Sequence, residues 1–230
     1  MTPDGQDDNA NVGHRERLLA AARSLGLTLE AGQTDTLLRF LALLQRWNRV
    51  YNLTALRDPD QMLSHHLVDC LALLPALQRH ACEANLPALR VLDVGSGGGL
   101  PGVVLACLQP GWSVHCVDTV AKKAGFIRQA AAELGLRNLE ALHARVEALP
   151  PGAGRYDLIT SRAFASLADF TRLSTPLLAE RGVWVAMKAR LQPSEINELP
   201  SAVSLFHVEQ LQVPGLDATR CLVWMRPQAA

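Results

Sequence analysis

The sequence predicts an α/β fold: a mostly parallel sheet with helices on both faces, closed by an antiparallel hairpin and preceded by an N-terminal helical cap. From residue 89 onward, apolar runs of strand length alternate with stretches of helical period, the pattern of parallel strands joined by crossover helices. The first of these runs breaks into Gly95, Gly97, Gly98 and Gly99, a turn tight enough to need residues without a Cβ. The last two runs, 203–212 and 219–226, are joined by Val213-Pro-Gly-Leu-Asp-Ala-Thr219, short enough for a hairpin.

Taken in order, residues 1–13 are polar and predict a disordered tail. Residues 14–25 and 33–50 carry apolar positions at helical spacing, for example Leu37, Phe40, Leu41, Leu44 and Trp47. Asp58-Pro59 reads as an N-cap followed by a proline at the first helical position, starting a helix that runs toward Leu77. These segments make the cap, residues 14–85, ahead of a catalytic domain over 86–230. Strand 89–94 leads to helix 101–108, strand 112–118 to helix 120–135, and strand 139–143 to a loop at 145–150. Strand 156–161 leads to helix 167–179, and strand 182–188 to a short helix near 193–199.

Composition narrows the class. With 49% hydrophobic and 19% charged residues in a chain of 230, a sizeable core is expected, and the net charge of zero announces no polyanion partner. Residues 90–190 nevertheless hold 12 Lys/Arg against 8 Asp/Glu, so a modest positive face over the sheet domain competes with a plain solvated scatter. Five cysteines, at 70, 82, 107, 116 and 221, are an odd number without a C-x-x-C pair, which reads as reduced thiols and no metal site. The start, Met1-Thr-Pro-Asp-Gly-Gln-Asp-Asp, is no signal peptide, and no apolar run reaches the roughly 18 residues of a membrane span. A cytoplasmic protein with no membrane partner is expected.

The glycine turn asks for a nucleotide-type cofactor. Gly97-x-Gly99-x-x-Gly102 satisfies the dinucleotide fingerprint, a weak signal by itself. Asp93 stands two positions before Gly95, giving Asp-x-Gly-x-Gly-x-Gly. A pyrophosphate at a helix N-terminus gains nothing from a neighbouring carboxylate, whereas a cofactor bearing ammonium and sulfonium groups does. That reading selects S-adenosyl-L-methionine and expects the Asp93 carboxylate to face it. Asp118, at the end of the second strand, follows Gly95 at about the spacing where a carboxylate meets ribose hydroxyls. Either acid alone reads equally as a helix cap; the pair around a glycine turn favours the site.

Outside that turn, Trp47-Asn-Arg-Val-Tyr-Asn52-Leu-Thr-Ala-Leu-Arg-Asp58, Gly95-Ser-Gly-Gly-Gly-Leu-Pro-Gly102, Asp118 with Lys122-Lys123, Arg145-Val-Glu147, Ser161-Arg-Ala-Phe-Ala-Ser-Leu167 and Val213-Pro-Gly-Leu-Asp with Arg220 follow in order. Together they resemble the bacterial small-subunit rRNA guanine-N7 methyltransferases of the RsmG (GidB) family, class I enzymes with a Rossmann-like sheet, over roughly residues 30–227. Met187-Lys188-Ala189 departs from the family's Lys-Gly, and Cys221 stands where His is common. The resemblance implies S-adenosyl-L-methionine as cofactor and transfer to N7 of a guanine in the 530 loop of 16S rRNA, with 16S rRNA or a 30S particle as partner and no DNA. It implies cofactor contacts at Gly95, Leu100, Val146, Glu147 and Arg162, beside Gly97, Gly99 and the two acids read above.

For the acceptor, Arg162 is expected to donate to guanine O6 and Phe164 to stack on the base, with a core aromatic the equal alternative for Phe164. Asn52, with Tyr51, is expected over the pocket, against the competing reading of a helix terminator. Lys122, Lys123, Arg128, Arg145, Lys188 and Arg220 are expected phosphate contacts, each individually better explained as a surface charge. His65-His66 with Asp69 reads as satisfied helix polar groups, because N7 transfer needs no base. A methyltransferase with a small-molecule or protein acceptor, and a silent RNA-binding module on the same fold, share parts of these motifs.

Overall fold

The computed structural model describes residues 4–150, 155–162, 164 and 166–228. Its centre is a seven-stranded sheet in the order β3-β2-β1-β4-β5-β7-β6. The strands are β1 (Arg90–Val94), β2 (Ser113–Asp118), β3 (Leu139–His143), β4 (Tyr156–Ser161), β5 (Leu178–Lys188), β6 (Val203–Leu211) and β7 (Arg220–Pro227). The first five run parallel. β7 enters antiparallel to β5, pairing Cys221 with Lys188, and β6 closes the edge antiparallel to β7. Arg220 therefore lies at the same end of the sheet as the last residues of β1, β2, β4 and β5, where open α/β sheets bind ligands.

Helix α1 (Asp4–Ser24) begins well inside the stretch expected to be a disordered tail. Its second half docks through Leu18, Ala21 and Ala22, all buried, and a helix once nucleated extends cheaply. A reciprocal capping box between Glu30 and Gln33 starts α2 (Ala31–Tyr51). Asp58 caps α3 (Pro59–Met62), its carboxylate accepting the Gln61 N–H at 2.8 Å, as the Asp-Pro pair predicts. The chain then passes through a π-helical turn, Leu63–Val68, into α4 (Asp69–Leu71) and α5 (Leu74–Glu83).

Two more helices flank the sheet on the face covered by α2: α6 (Gly102–Leu108) and α7 (Ala121–Leu134). Beyond β4, α8 (Leu167–Ser174) stops five residues short of the expected end. Pro176 cannot donate into a helix interior, so a 3-10 turn over Thr175–Leu177 follows and β5 starts early. A short α9 (Pro193–Asn197) precedes the closing hairpin. One hydrophobic cluster joins Leu18, α2, α5 and α6 to Val91, Val114 and Trp224. A second, on the other face, holds Leu92, Val94, Tyr156, Phe170 and Trp184. The cap thus shares its core with the sheet, and α2 sets Leu44 directly over Gly98, 3.1 Å from where a Cβ would sit.

Candidate active site

The glycine loop leaves β1 and is pinned to the end of β2 by backbone bonds. Gly95 and Ser96 donate to the Val117 carbonyl, at 2.9 and 3.3 Å. Gly97 N–H donates to Asp118 Oδ2 at 2.9 Å, and Val120 N–H to Asp118 Oδ1 at 2.8 Å. Gly95 has a φ of +69°, and an added Cβ there would meet nothing within 4 Å. The space it faces is a cavity of about 340 Å³ lined by Gly95, Asp118, Arg145, Val146, Glu147 and Phe164, among others. Four expected cofactor contacts therefore meet there: Gly95, Asp118, Val146 and Glu147.

The other expected cofactor residues lie elsewhere. Asp93 is fully buried, and its carboxylate does not face the cavity as expected. Alternation along β1 explains it: Leu92 and Val94 serve one face, while Val91 and Asp93 point to the α6 face. There Asp93 Oδ2 accepts the Gly102 N–H at 2.9 Å and a weaker contact from Cys116 Sγ at 3.9 Å. Burial pushes this carboxyl up to about 7, against the lowering effects of the Gly102 N–H and the Arg162 cation. Asp93 shapes the loop from beneath. Gly97 and Gly99 adopt positive φ to make the turn, and Leu100 is buried; none of the three lines the cavity.

Arg162 opens instead on a neighbouring cavity of about 370 Å³, shared with Phe164, Lys188, Arg190 and Gln192. Phe164 belongs to both cavities and packs on Phe170, ring centroids 5.7 Å apart. The Arg162 Nη1 donates to the His65 carbonyl and to Asp69 Oδ2, each at 3.2 Å. Its Nε is buried without a partner among the described residues.

The expected phosphate contacts divide. Lys122 is exposed in the first turn of α7, and Lys123 Nζ stands 3.9 Å from Asp118 Oδ2. Arg145 is exposed and pairs with Glu147 at 3.2 Å, so both reach the cavity rim together. Arg128 turns back to donate from Nε to the Ala141 carbonyl at 3.1 Å. Lys188 is ion-paired with Glu195. Arg220 is not the free surface cation expected: its Nε donates to Asp69 Oδ1 at 2.9 Å in a largely buried pair. Asn52 follows its competing reading. It terminates α2 with a φ of 49°, its N–H donating to the Asn48 carbonyl and its side-chain oxygen accepting from Arg57 at 3.0 Å.

Two residues with clear roles were not singled out for them by the sequence. Asn48, buried, receives the Thr54 N–H and donates to the Leu56 carbonyl, both at 2.9 Å, folding the 52–57 segment back on α2. Asp69 is the carboxylate that joins Arg162 to Arg220. The signal was present: an acid among buried Leu67, Val68, Cys70 and Leu71 must find a charged partner. His66 is no partner of Asp69. Its Nε2 meets Thr54 Oγ1 at 3.0 Å, and burial, helped by the Arg162 cation, pushes the ring down to about 4.

The geometry fits S-adenosyl-L-methionine: a bared backbone turn at Gly95 faces an open cavity with a carboxylate at each wall, Asp118 and Glu147. Solved structures with this fold include TrmN from Thermus thermophilus (TM-score 0.52, 24% identity, covering 72% of this chain and 53% of that one). Another is the ribosomal protein L11 methylase of Lactobacillus delbrueckii subsp. bulgaricus (TM-score 0.53, 18% identity, 69% and 78%). Among sequence relatives, Ribosomal RNA small subunit methyltransferase G of Leptothrix cholodnii is 59% identical over 94% of this chain and 96% of its own. Its namesake in Acidovorax sp. (strain JS42) is 56% identical over 96% and 98%. The GidB family model, rRNA small subunit methyltransferase G, matches residues 33–223, and the chain belongs to that family of S-adenosyl-L-methionine-dependent rRNA methyltransferases.

Proposed function

We propose that the protein methylates N7 of a guanine in the 530 loop of 16S rRNA, in the cytoplasm, on the rRNA itself or within a 30S particle. The observation that carries this reading is the pair of cavities meeting at Phe164, one lined by Gly95 of the glycine loop and one lined by Arg162. The first suits the cofactor, the second the acceptor base. Among the described residues no helix is long and apolar enough to cross a membrane.

When bound, S-adenosyl-L-methionine supplies an electrophilic methyl group on a sulfonium. Guanine N7 carries an in-plane lone pair and no proton, so the protein needs orientation and exclusion of water rather than a general base. The backbone at Gly95 gives close approach to the cofactor. Glu147 accepts from the adenine amino group beside the Val146 backbone, and Asp118, already fixed by two N–H groups, meets the ribose. Arg162 lines the second cavity and donates to guanine O6, leaving N7 free. Phe164 stacks on the base. Arg145, in the cavity lining, and Lys122 and Lys123, in the first turn of α7, take RNA phosphates.

Labelled methyl transfer to naked 16S rRNA, assembled 30S subunits and a protein lysate tests the proposal, followed by nuclease digestion and mass spectrometry of the product. Label in 7-methylguanosine from one of the RNA substrates supports it. Label confined to protein, or to another base position, overturns it.

A further inference from the structure

The helical cap and the sheet meet in a buried cluster of charge. Asp69, at the start of α4, spends one carboxylate oxygen on Arg220 Nε at 2.9 Å and the other on Arg162 Nη1 at 3.2 Å. One arginine leaves β4 and the other enters β7, so a single carboxylate from the cap ties the ends of two strands that flank β5. The π-helical turn before it supplies a second anchor. The Asp69 N–H donates to Ser64 and His66 carbonyls and not to that of His65. The His65 carbonyl is thereby released from the helix ladder and accepts from Arg162 Nη1 at 3.2 Å. Both contacts grip the same guanidinium nitrogen, while Nε stays buried and unpartnered among the described residues. The guanidinium group belongs to a residue that lines the second cavity, so the two contacts on Nη1 set how it is presented there.

We infer that Asp69 is a positioning residue for methyl transfer: it fixes the Arg162 guanidinium, with Arg220 as its counterweight, in the wall of the acceptor cavity. The carboxylate also separates two cations that would otherwise repel in a region of little water. This inference rests on the reading of the Arg162-lined cavity as the acceptor site.

Asp69→Asn keeps the size of the side chain and removes its charge. At saturating cofactor and RNA, kcat is expected to fall at least tenfold, while the Kd for S-adenosyl-L-methionine by calorimetry stays within twofold. A double-mutant cycle on single-turnover rates separates positioning from general support. If Asp69 acts through Arg162, Asp69→Asn costs less than threefold in an Arg162→Gln background. A folded Asp69→Asn enzyme with wild-type kcat, or losses that multiply in the cycle, overturns the inference. Should Asp69→Asn fail to fold, Asp69→Glu decides: a tenfold loss of kcat at unchanged melting temperature supports positioning, and wild-type kcat overturns it. Wild-type turnover in Arg162→Gln alone would remove the acceptor-site reading itself, a failure distinct from that of Asp69.

Discussion

Asp93 Oδ2 accepts the Gly102 N–H at 2.9 Å, tying the last strand residue but one of β1 to the first residue of α6 beneath the glycine loop. The bond needs Gly102 to lie close against β2: a Cβ there would fall 2.2 Å from Cys116 Sγ and 3.1 Å from Asp93 Oδ2. Gly102→Ala is therefore expected to lose about 1–3 kcal/mol through overpacking. Urea unfolding measures it, and a midpoint equal to wild type would contradict this account of the loop.

Asp93 also predicts a pH dependence. Its folded pKa, about 7, lies above the unfolded value, so the native state holds the proton more tightly. Its contribution to stability is fully present below the unfolded carboxylate value and is lost as pH rises through the folded one. His66, pushed down to about 4, works oppositely in nearly the same window: its contribution is present above about 6.5 and is lost as pH falls. The difference between wild type and Asp93→Asn isolates the acid. Relative to wild type, the variant should gain stability steadily between about pH 4 and 7 while its amide oxygen still accepts from Gly102. A difference independent of pH would show that the carboxyl titrates normally.

Glu147 is exposed at the cavity lined by Gly95 and, among the described residues, pairs with the neighbouring Arg145. Glu147→Ala should weaken S-adenosyl-L-methionine binding roughly tenfold to a hundredfold, the worth of a charge-assisted hydrogen bond of about 1.5–3 kcal/mol. The melting temperature of the ligand-free protein should not move. Calorimetry with an unchanged Kd would take Glu147 out of the site.

Phe164 walls both cavities, so its loss should register twice. Phe164→Ala is expected to raise KM for RNA by about one order of magnitude or more, in line with base–aromatic stacking of about 1–3 kcal/mol. Cofactor affinity should drop as well. Steady-state kinetics with each substrate varied in turn would expose a purely structural ring, for which neither KM changes.

Asn48→Ala should destabilise the protein by about 1–3 kcal/mol, because it strands the Thr54 N–H and the Leu56 carbonyl in a part-buried segment. Thermal or urea denaturation reads the loss directly.

Much of this molecule was legible in the chain because local chemistry and global fold agree. The β1 run, the glycine turn and the capped start at Asp58 are all short-range signals, and the short link between β6 and β7 is another. What the sequence hid depends on direction and on distance along the chain. The spacing Asp93-x-Gly95 marks the glycine turn, yet only strand alternation decides that the carboxylate points at α6 and away from the cavity. Asp69, an acid among apolar residues, announces the need for a charged partner without saying which, and Arg220 reads as a phosphate contact or a surface cation. Their pairing joins residues 151 positions apart, which no window of local pattern can reveal. Pro176, by contrast, was a readable stop that a run of helical spacing through 167–179 obscured.

The π-helical turn over Leu63–Val68 carries a surplus residue in what is otherwise a continuous helical run. The wide turn absorbs that surplus locally, so deleting one residue between 63 and 68 would restore regular winding and leave Leu71, Leu74 and Leu77 close to their present buried faces. What the deletion would remove is the carbonyl released at His65, which in a regular helix would accept the N–H four residues on and no longer reach Arg162. A shortened chain should therefore keep its fold and lose one of the two contacts on that guanidinium.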